Sequence, residues 1–482
     1  MKAFIMAADA LTPEYVFDTP ELFPNIYKLI KNGASSAYSS YVQKGYAGSY
    51  TSEQNWASIY TGLSPKEHMI GAVKYSGDGV IYPQMSEFDN FQPFWQILNR
   101  NGITVGLWSA DCCDDPVEID GYVIASKYAP IFSPTENREA PREIHVCDKD
   151  RNMLNFLDRS PPPRLYPNTL KQLGYTFEQL KANPSLANNV ANEKNFQAMI
   201  DNFNDELDFW FSAMKRAQKE CPVDVMYLFT PTTDILAHFT LYSENNPVLI
   251  KAYQLLDKYI GDFVAEFNPE MTILMSDHGQ QNFIDLVKCS DPITQKEAFA
   301  AHDQVLWMEN GYIAFEAKNG GLLFTTHSLK GVFIACGKNI KNTKINEMRT
   351  VDIYPTLLEM FGVNIPSGRS GFVVDIFKSD IVNSGRLLEE NKIKYKSVAL
   401  IQTHEVSVTD IIVNELYIHK IFAKITIVGQ KKYEEIFCNN PRVFDFVPIE
   451  EFDAKKYDEV YCGFFNKSSG EIDSLLLRVC LT

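Results

Sequence analysis

Short apolar runs tipped with polar residues, alternating with helical stripes, constrain this chain more than any other feature. Residues 3–8, 104–108, 223–229 and 271–275 are apolar without helical spacing and read as buried strands. Residues 20–34, 94–101, 193–219, 246–267 and 351–361 carry apolar side chains at helical intervals. This alternation, up to about residue 370, predicts an α/β fold: a doubly wound, mostly parallel central sheet with helices on both faces. In such a sheet, residues at the carboxyl ends of strands meet at one edge however far apart they lie in sequence.

At 482 residues and 45% hydrophobic, the chain can bury a large core. We expect a catalytic domain at 1–385 and a small α+β unit at 386–482, with strands at 398–402, 410–413 and 421–428, packed on the main sheet. Within the first domain, Pro130, Pro134, Pro141, Pro161, Pro162, Pro163, Pro167 and Pro184 mark an inserted cap at about 130–220, a place for substrate specificity. Net charge is −16 with Lys and Arg scattered, which points away from nucleic acid and anionic membranes as partners. Nine cysteines, an odd number without paired CxxC spacing, read as reduced thiols of a cytoplasmic protein. Cys112 and Cys113 are expected to be incidental loop thiols. The N-terminal apolar run is too short for a signal peptide, and no segment reaches the ~20 apolar residues that span a bilayer.

Several predicted strand ends carry metal-binding residue types. Asp9 follows the first strand, and Asp277-His278 follows residues 271–275. Asp234 and His238 lie one helical turn apart, so both can face one ion. His327 stands just before another apolar strand, and Ser52 opens a helix that Gly62 closes. Singly, Asp9 and Ser52 are equally natural helix caps, and Asp-His is an ordinary polar turn. Together, three Asp, three His and one hydroxyl suffice for two three-ligand metal sites with Ser52 between them. Two ions about 4 Å apart can clamp the attacking and leaving oxygens of a displacement at phosphorus, and a hydroxyl beside such an ion becomes a nucleophile. His145, His302, His404 and His419 fit no such position and are expected outside the site.

These residues resemble the alkaline phosphatase superfamily, in particular its branch of type I phosphodiesterases, nucleotide pyrophosphatases and related phosphohydrolases and phosphomutases. The resemblance spans about residues 1–380. It is carried by Asp9, by Ser52-x3-Trp56-x-Ser58-x2-Thr61-Gly62-x2-Pro65-x2-His68, by Asp234-x3-His238 and by Ser276-Asp277-His278-Gly279. His327 ahead of Gly331-Val-Phe-Ile-Ala-Cys-Gly337, and Asp352-Ile-Tyr-Pro, complete it. It implies an alkaline phosphatase-like fold with two divalent ions, zinc first and manganese as the alternative. One ion would be held by Asp234, His238 and His327, the other by Asp9, Asp277 and His278. Ser52 would be coordinated between them and carry a covalent phosphoryl group, and His68 would be structural. The substrate would be a small phosphate ester or nucleotide-type molecule. An Asn that the pyrophosphatase branch places on phosphate is missing near Gly71-Ala-Val-Lys74, where Lys74 could serve instead. The sulfatase signature is absent. Two alternatives share the motifs: a phosphotransferase or phosphomutase with an alcohol acceptor, and a non-catalytic metal-binding scaffold.

Overall fold

The computed structural model describes the chain except residues 41–51, 69, 71–73, 77–78, 82–90, 111–115, 129–138, 141, 150, 167–169, 172, 187–192, 241–245, 283–304, 308–312, 317–321, 329, 389–395, 403–422, 439–442, 467–472 and 479–482. By contact density it divides into two compact units, the larger holding most of residues 1–387 and the smaller essentially Leu388–Thr482.

The larger unit is organised by a nine-stranded sheet. Its strands are β1 (Ala3–Ala8), β2 (Ala34–Ser39), β3 (Val105–Trp108), β4 (Gly121–Tyr128), β5 (Arg142–Cys147), β6 (Val225–Thr230) and β7 (Met271–Met275). A two-stranded ribbon, β8 (Gly279–Asn282) with β9 (Thr325–Ser328), interrupts the count, and β10 (Lys330–Gly337) and β11 (Thr343–Lys344) complete the sheet. The order is β11-β2-β10-β7-β1-β6-β3-β4-β5. Five of its eight pairings are parallel and three antiparallel, so the sheet is mixed but mostly parallel. All of β1 and β6 is buried, which explains their unbroken apolar runs: a central parallel strand is covered on both faces.

Side-chain alternation assigns those faces. Met226 and Leu228 join the core formed with helices α4 (Glu193–Glu220) and α6 (Pro247–Phe267), where Phe4 meets Phe211 and Phe263. Tyr227 and Phe229, one residue out of phase, meet Trp56 and Tyr60 of α2 (Ser52–Thr61) and Phe94 of α3 (Phe94–Arg100). Helix α7 (Thr350–Met360) packs on α2. Gly62 ends α2 at φ +68, and a Cβ there would lie 2.7 Å from the Tyr354 ring, so both conformation and space demand glycine. Elsewhere, helix α1 (Pro24–Asn32) is shorter than the 20–34 expected, because Pro20–Leu22 forms a separate 3-10 turn.

Two pieces of the expected cap belong to the main layers. Arg142–Cys147 adds to the sheet edge as β5, antiparallel to β4, and α4 lies in the principal core. The smaller unit holds a second sheet of β12 (Lys396–Ile401), β13 (Ala423–Gly429), β14 (Asp445–Pro448), β15 (Glu459–Asn466) and β16 (Asp473–Arg478), ordered β14-β13-β12-β15-β16. All its pairings are parallel except β15–β16. The strand expected at 410–413 lies outside the described residues. Among the described residues, no helix is long and apolar enough to cross a membrane.

Candidate active site

Three central strands end level. Ala8 is in register with Thr230 of β6, and Ala7 with Met275 of β7, so the residues that follow emerge side by side. They are Asp9, the helix α5 (Thr232–Phe239) with Asp234 in its first turn and His238 in its last, and Ser276-Asp277-His278. The β8–β9 ribbon sets His327 opposite Gln280. Threonine hydroxyls pin the start of α5. Thr230 and Thr232 donate to the fully buried Glu206 of α4 at 3.2 and 2.6 Å, and Thr233 donates to the Asp9 carbonyl.

The first cluster is Asp234, His238 and His327. His238 Nε2 lies 3.3 Å from Asp234 Oδ1 and 3.1 Å from His327 Nε2, and His327 Nε2 is 3.6 Å from the same carboxylate oxygen. The opposite nitrogen, His238 Nδ1, donates to the Thr325 carbonyl at 3.0 Å, which turns Nε2 inward. Burial alone would raise the Asp234 pKa. The charges and hydrogen bonds of His238, His327 and Gln280 outweigh it and hold the carboxyl below its ordinary range. Burial opposes charge on His238 too, yet Asp234 raises its pKa.

The second cluster is Asp9, Asp277 and His278, and its electrostatics differ. His278 Nδ1 donates to the Gly279 carbonyl at 3.0 Å, while burial lowers the ring's pKa to about 3, so Nε2 carries a bare lone pair. That lone pair points toward Asp277 Oδ2 at 3.2 Å and Asp9 Oδ1 at 3.5 Å. Asp277 is fully buried, its Oδ2 has no hydrogen-bond donor among the described residues, and burial pushes its pKa well above the usual value. Converging lone pairs with an orphaned carboxylate oxygen fit a divalent cation, which satisfies all of them at once. The two clusters adjoin. The ligand atom of His278 also lies within 4.8 Å of those of Asp234 and His327.

Ser52 opens α2 as its first helical residue rather than as the cap preceding it. Its hydroxyl has two acceptors in reach, Asp9 Oδ1 at 3.3 Å and His278 Nε2 at 3.1 Å. A group bound at this oxygen would sit at the amino end of a helix, where backbone N–H groups and the dipole favour an anion.

All seven residues expected at strand ends and helix starts are thus brought together. His68 stands apart: it is buried, accepts from the Ile70 N–H at Nδ1 and donates from Nε2 to Ser58, a structural neutral imidazole. The Lys74 side chain lies outside the described residues, as do Cys112, Cys113, His302, His404 and His419. His145 sits on the edge strand β5, beside Glu143. Sequence reasoning missed Glu206 and Gln280, whose parts depend on partners distant in sequence. Gln280 donates to Asp234 Oδ1 at 2.5 Å, and its only local signal is its place directly after Asp277-His278-Gly279.

The profile of the type I phosphodiesterase / nucleotide pyrophosphatase family matches residues 3–355. Among solved structures, wild-type alkaline phosphatase PafA is similar at 12% identity and TM-score 0.47, covering 77% of this chain and 97% of its own. Human ectonucleotide pyrophosphatase/phosphodiesterase 5 shows 14% identity and TM-score 0.41, covering 76% and 96%. The murine form of that protein, inactive and in complex with AMP, gives the same figures: 14%, 0.41, 76% and 96%. These TM-scores lie under 0.5, so family membership rests on the profile match. No curated protein matches the chain. With a profile spanning most of its length, this chain belongs to the type I phosphodiesterase / nucleotide pyrophosphatase family, whose members are phosphate-ester hydrolases.

Proposed function

We propose that this chain is a two-metal phosphodiesterase or nucleotide pyrophosphatase that uses Ser52 as its nucleophile. The observation that carries the reading is the Ser52 hydroxyl, 3.3 and 3.1 Å from Asp9 and His278, beside the buried Asp277 Oδ2, which has no hydrogen-bond partner among the described residues. Asp234, His238 and His327 would hold one ion, and Asp9, Asp277 and His278 the other. Both donor sets suit zinc, with manganese as the alternative. Bound there, the ions would supply positive charge to the phosphate oxygens and acidify the Ser52 hydroxyl.

In this reading Ser52 Oγ attacks phosphorus, its proton passes to a base, and the leaving alcohol or phosphate departs with the bonding pair. Water then cleaves the phosphoserine ester and restores the hydroxyl. The amino end of α2 faces the phosphoryl oxygens throughout. Lys74 serves the same phosphate as a point charge.

Residues 1–385 form the catalytic domain in this assignment, and the cap region selects the substrate. Support comes from its contacts with neighbours of the ligands. Tyr166 packs edge-on against Phe239, next to His238, while Leu170, Phe177 and Leu180 pack with Phe324, next to Thr325. The five described cysteines are free thiols, in keeping with a reducing, cytoplasmic setting.

The test is turnover of a chromogenic phosphodiester beside the matching monoester, by protein loaded with zinc or manganese, with Ser52→Ala as control. Diester turnover that the variant abolishes supports the proposal. Monoester preference reassigns the chain to phosphatase chemistry, and a product formed only with an added alcohol reassigns it to phosphotransfer. Absence of bound metal sinks the reading.

A further inference from the structure

We infer that Gln280 is a positioning residue that presents Asp234 to the Asp234–His238–His327 cluster. The inference rests on the two-ion reading above and concerns a residue that reading does not use. Three observations carry it.

The first is which oxygen the amide contacts. Gln280 Nε2 donates at 2.5 Å to Asp234 Oδ1, the same oxygen that faces His238 Nε2 and His327 Nε2. A carboxylate oxygen has two lone pairs. An amide on one leaves the other for the cluster and stops the carboxylate from rotating away, as partners of ligating carboxylates do.

The second is how the amide is itself held. Gln280 lies in β8 directly opposite His327 in β9, so the two side chains share one face of the ribbon. Its backbone N–H donates to Thr12 Oγ1 at 3.2 Å, and the neighbouring Gln281 amide donates to the His327 carbonyl at 2.9 Å. The ribbon therefore fixes His327 and, through Gln280, Asp234 in one frame.

The third is that Gln280 is held at a cost. It is 1% exposed, and its Oε1 is buried without a hydrogen-bond partner among the described residues. Half of a buried amide left unsatisfied is unfavourable, so an apolar side chain of similar volume would suit this position better if packing were its only part. What the amide adds is the bond to Asp234.

The test uses the full chain, stripped of metal and titrated with Zn(II) against a chromophoric chelator, and separately with Co(II) followed by its visible spectrum. Gln280→Met keeps the volume and removes the donor. Gln280→Asn keeps an amide one methylene short of Asp234. We expect wild-type protein to take up two ions and both variants to bind one of them about 10- to 100-fold more weakly. The other ion and the melting temperature of the metal-free protein stay unchanged. Only one ion's share of the Co(II) spectrum is altered. Equal weakening of both ions with a lowered metal-free melting temperature, or failure of both variants to fold, would make Gln280 a structural residue and overturn the inference. Unchanged binding of both ions overturns it as well. Wild-type protein that takes up fewer than two ions overturns the two-ion reading, and this inference with it.

Discussion

The imidazole rings of His278 and His327 stack, with centroids 3.8 Å apart and planes 21° from parallel. One ring belongs to each proposed metal cluster, so the clusters share a wall. Two stacked imidazoliums would repel strongly in so buried a place, and the low pKa of His278, about 3, keeps that ring neutral. A change to either ring therefore reaches the other cluster.

His327→Ala removes a ligand from one cluster and the stacking surface from the second. Metal content measured after gel filtration is expected to fall from two ions to one, with the remaining ion bound several-fold more weakly. Retention of both ions at wild-type affinity would refute the ligand assignment.

Ser52→Ala is expected to lower kcat for a phosphodiester on the order of 10³-fold or more, while Ser52→Thr retains measurable turnover. Ser52 is part-buried at a helix start, so the thermal midpoint changes little. Steady-state kinetics beside a melting curve separates the two effects. Equal turnover by the alanine variant would exclude Ser52 as nucleophile.

Chelation is expected to lower the thermal midpoint. Asp277 is fully buried, with an oxygen that has no hydrogen-bond partner among the described residues, and an ion that binds only the folded chain stabilises it by mass action. Calorimetry with and without a chelator, followed by re-addition of zinc, checks this. An unchanged midpoint would mean that the clusters hold no ion.

His68 gives the protein a pH dependence apart from the metal clusters. Burial, the largest cause, lowers its pKa to about 4 from an ordinary 6.5. Between those values the unfolded chain binds a proton that the folded chain does not. The contribution of His68 to stability is therefore complete above about pH 6.5 and declines as pH falls toward 4. His68→Gln removes the titration, so its stability deficit should narrow by about 2 kcal/mol between pH 7.5 and 4.5. Urea unfolding at both pH values measures the gap, and a constant gap would refute the assignment.

Asp352 tests the support beneath α2. Its carboxylate takes the Arg349 guanidinium at 3.0 and 2.7 Å and the N–H groups of Arg349 and Phe372 at 2.9 and 2.8 Å, with Asp352 and Arg349 both buried. Asp352→Ala takes the carboxylate from a buried guanidinium and is expected to cost about 3–5 kcal/mol in a denaturant titration. A cost below about 1 kcal/mol, the level of a surface pair, would contradict the burial argument.

Much of this was legible in the sequence. Residues 3–8 and 271–275 form strands over those very residues, because strands covered on both faces leave an unbroken apolar run. The seven candidate residues carry local signals: a carboxylate or Asp-His directly after an apolar strand, Asp and His one helical turn apart, a serine at a helix start and a histidine ahead of an apolar strand. The ribbon was not readable. Gly279-Gln-Gln-Asn282 is polar throughout, and its pairing with β9 depends on residues far along the chain. Gln280 was invisible for the same reason, since its partner Asp234 is 46 residues away and a glutamine has no fixed meaning without one. Arg142–Cys147 was read as part of an insertion because prolines surround it. Edge strands tolerate such neighbours, and a sheet edge leaves a weaker apolar signature than a centre.

The level ends of β1, β6 and β7 also bear on the speed of ion uptake. Asp9 and Asp277 follow hydrogen-bonded strands of a buried sheet and Asp234 stands in the first turn of α5 just past a third, so their spacing is set when the chain folds and little freedom remains to be lost afterwards. Ions would then enter a finished cage, and the slow step would be shedding their own water rather than rearranging the protein.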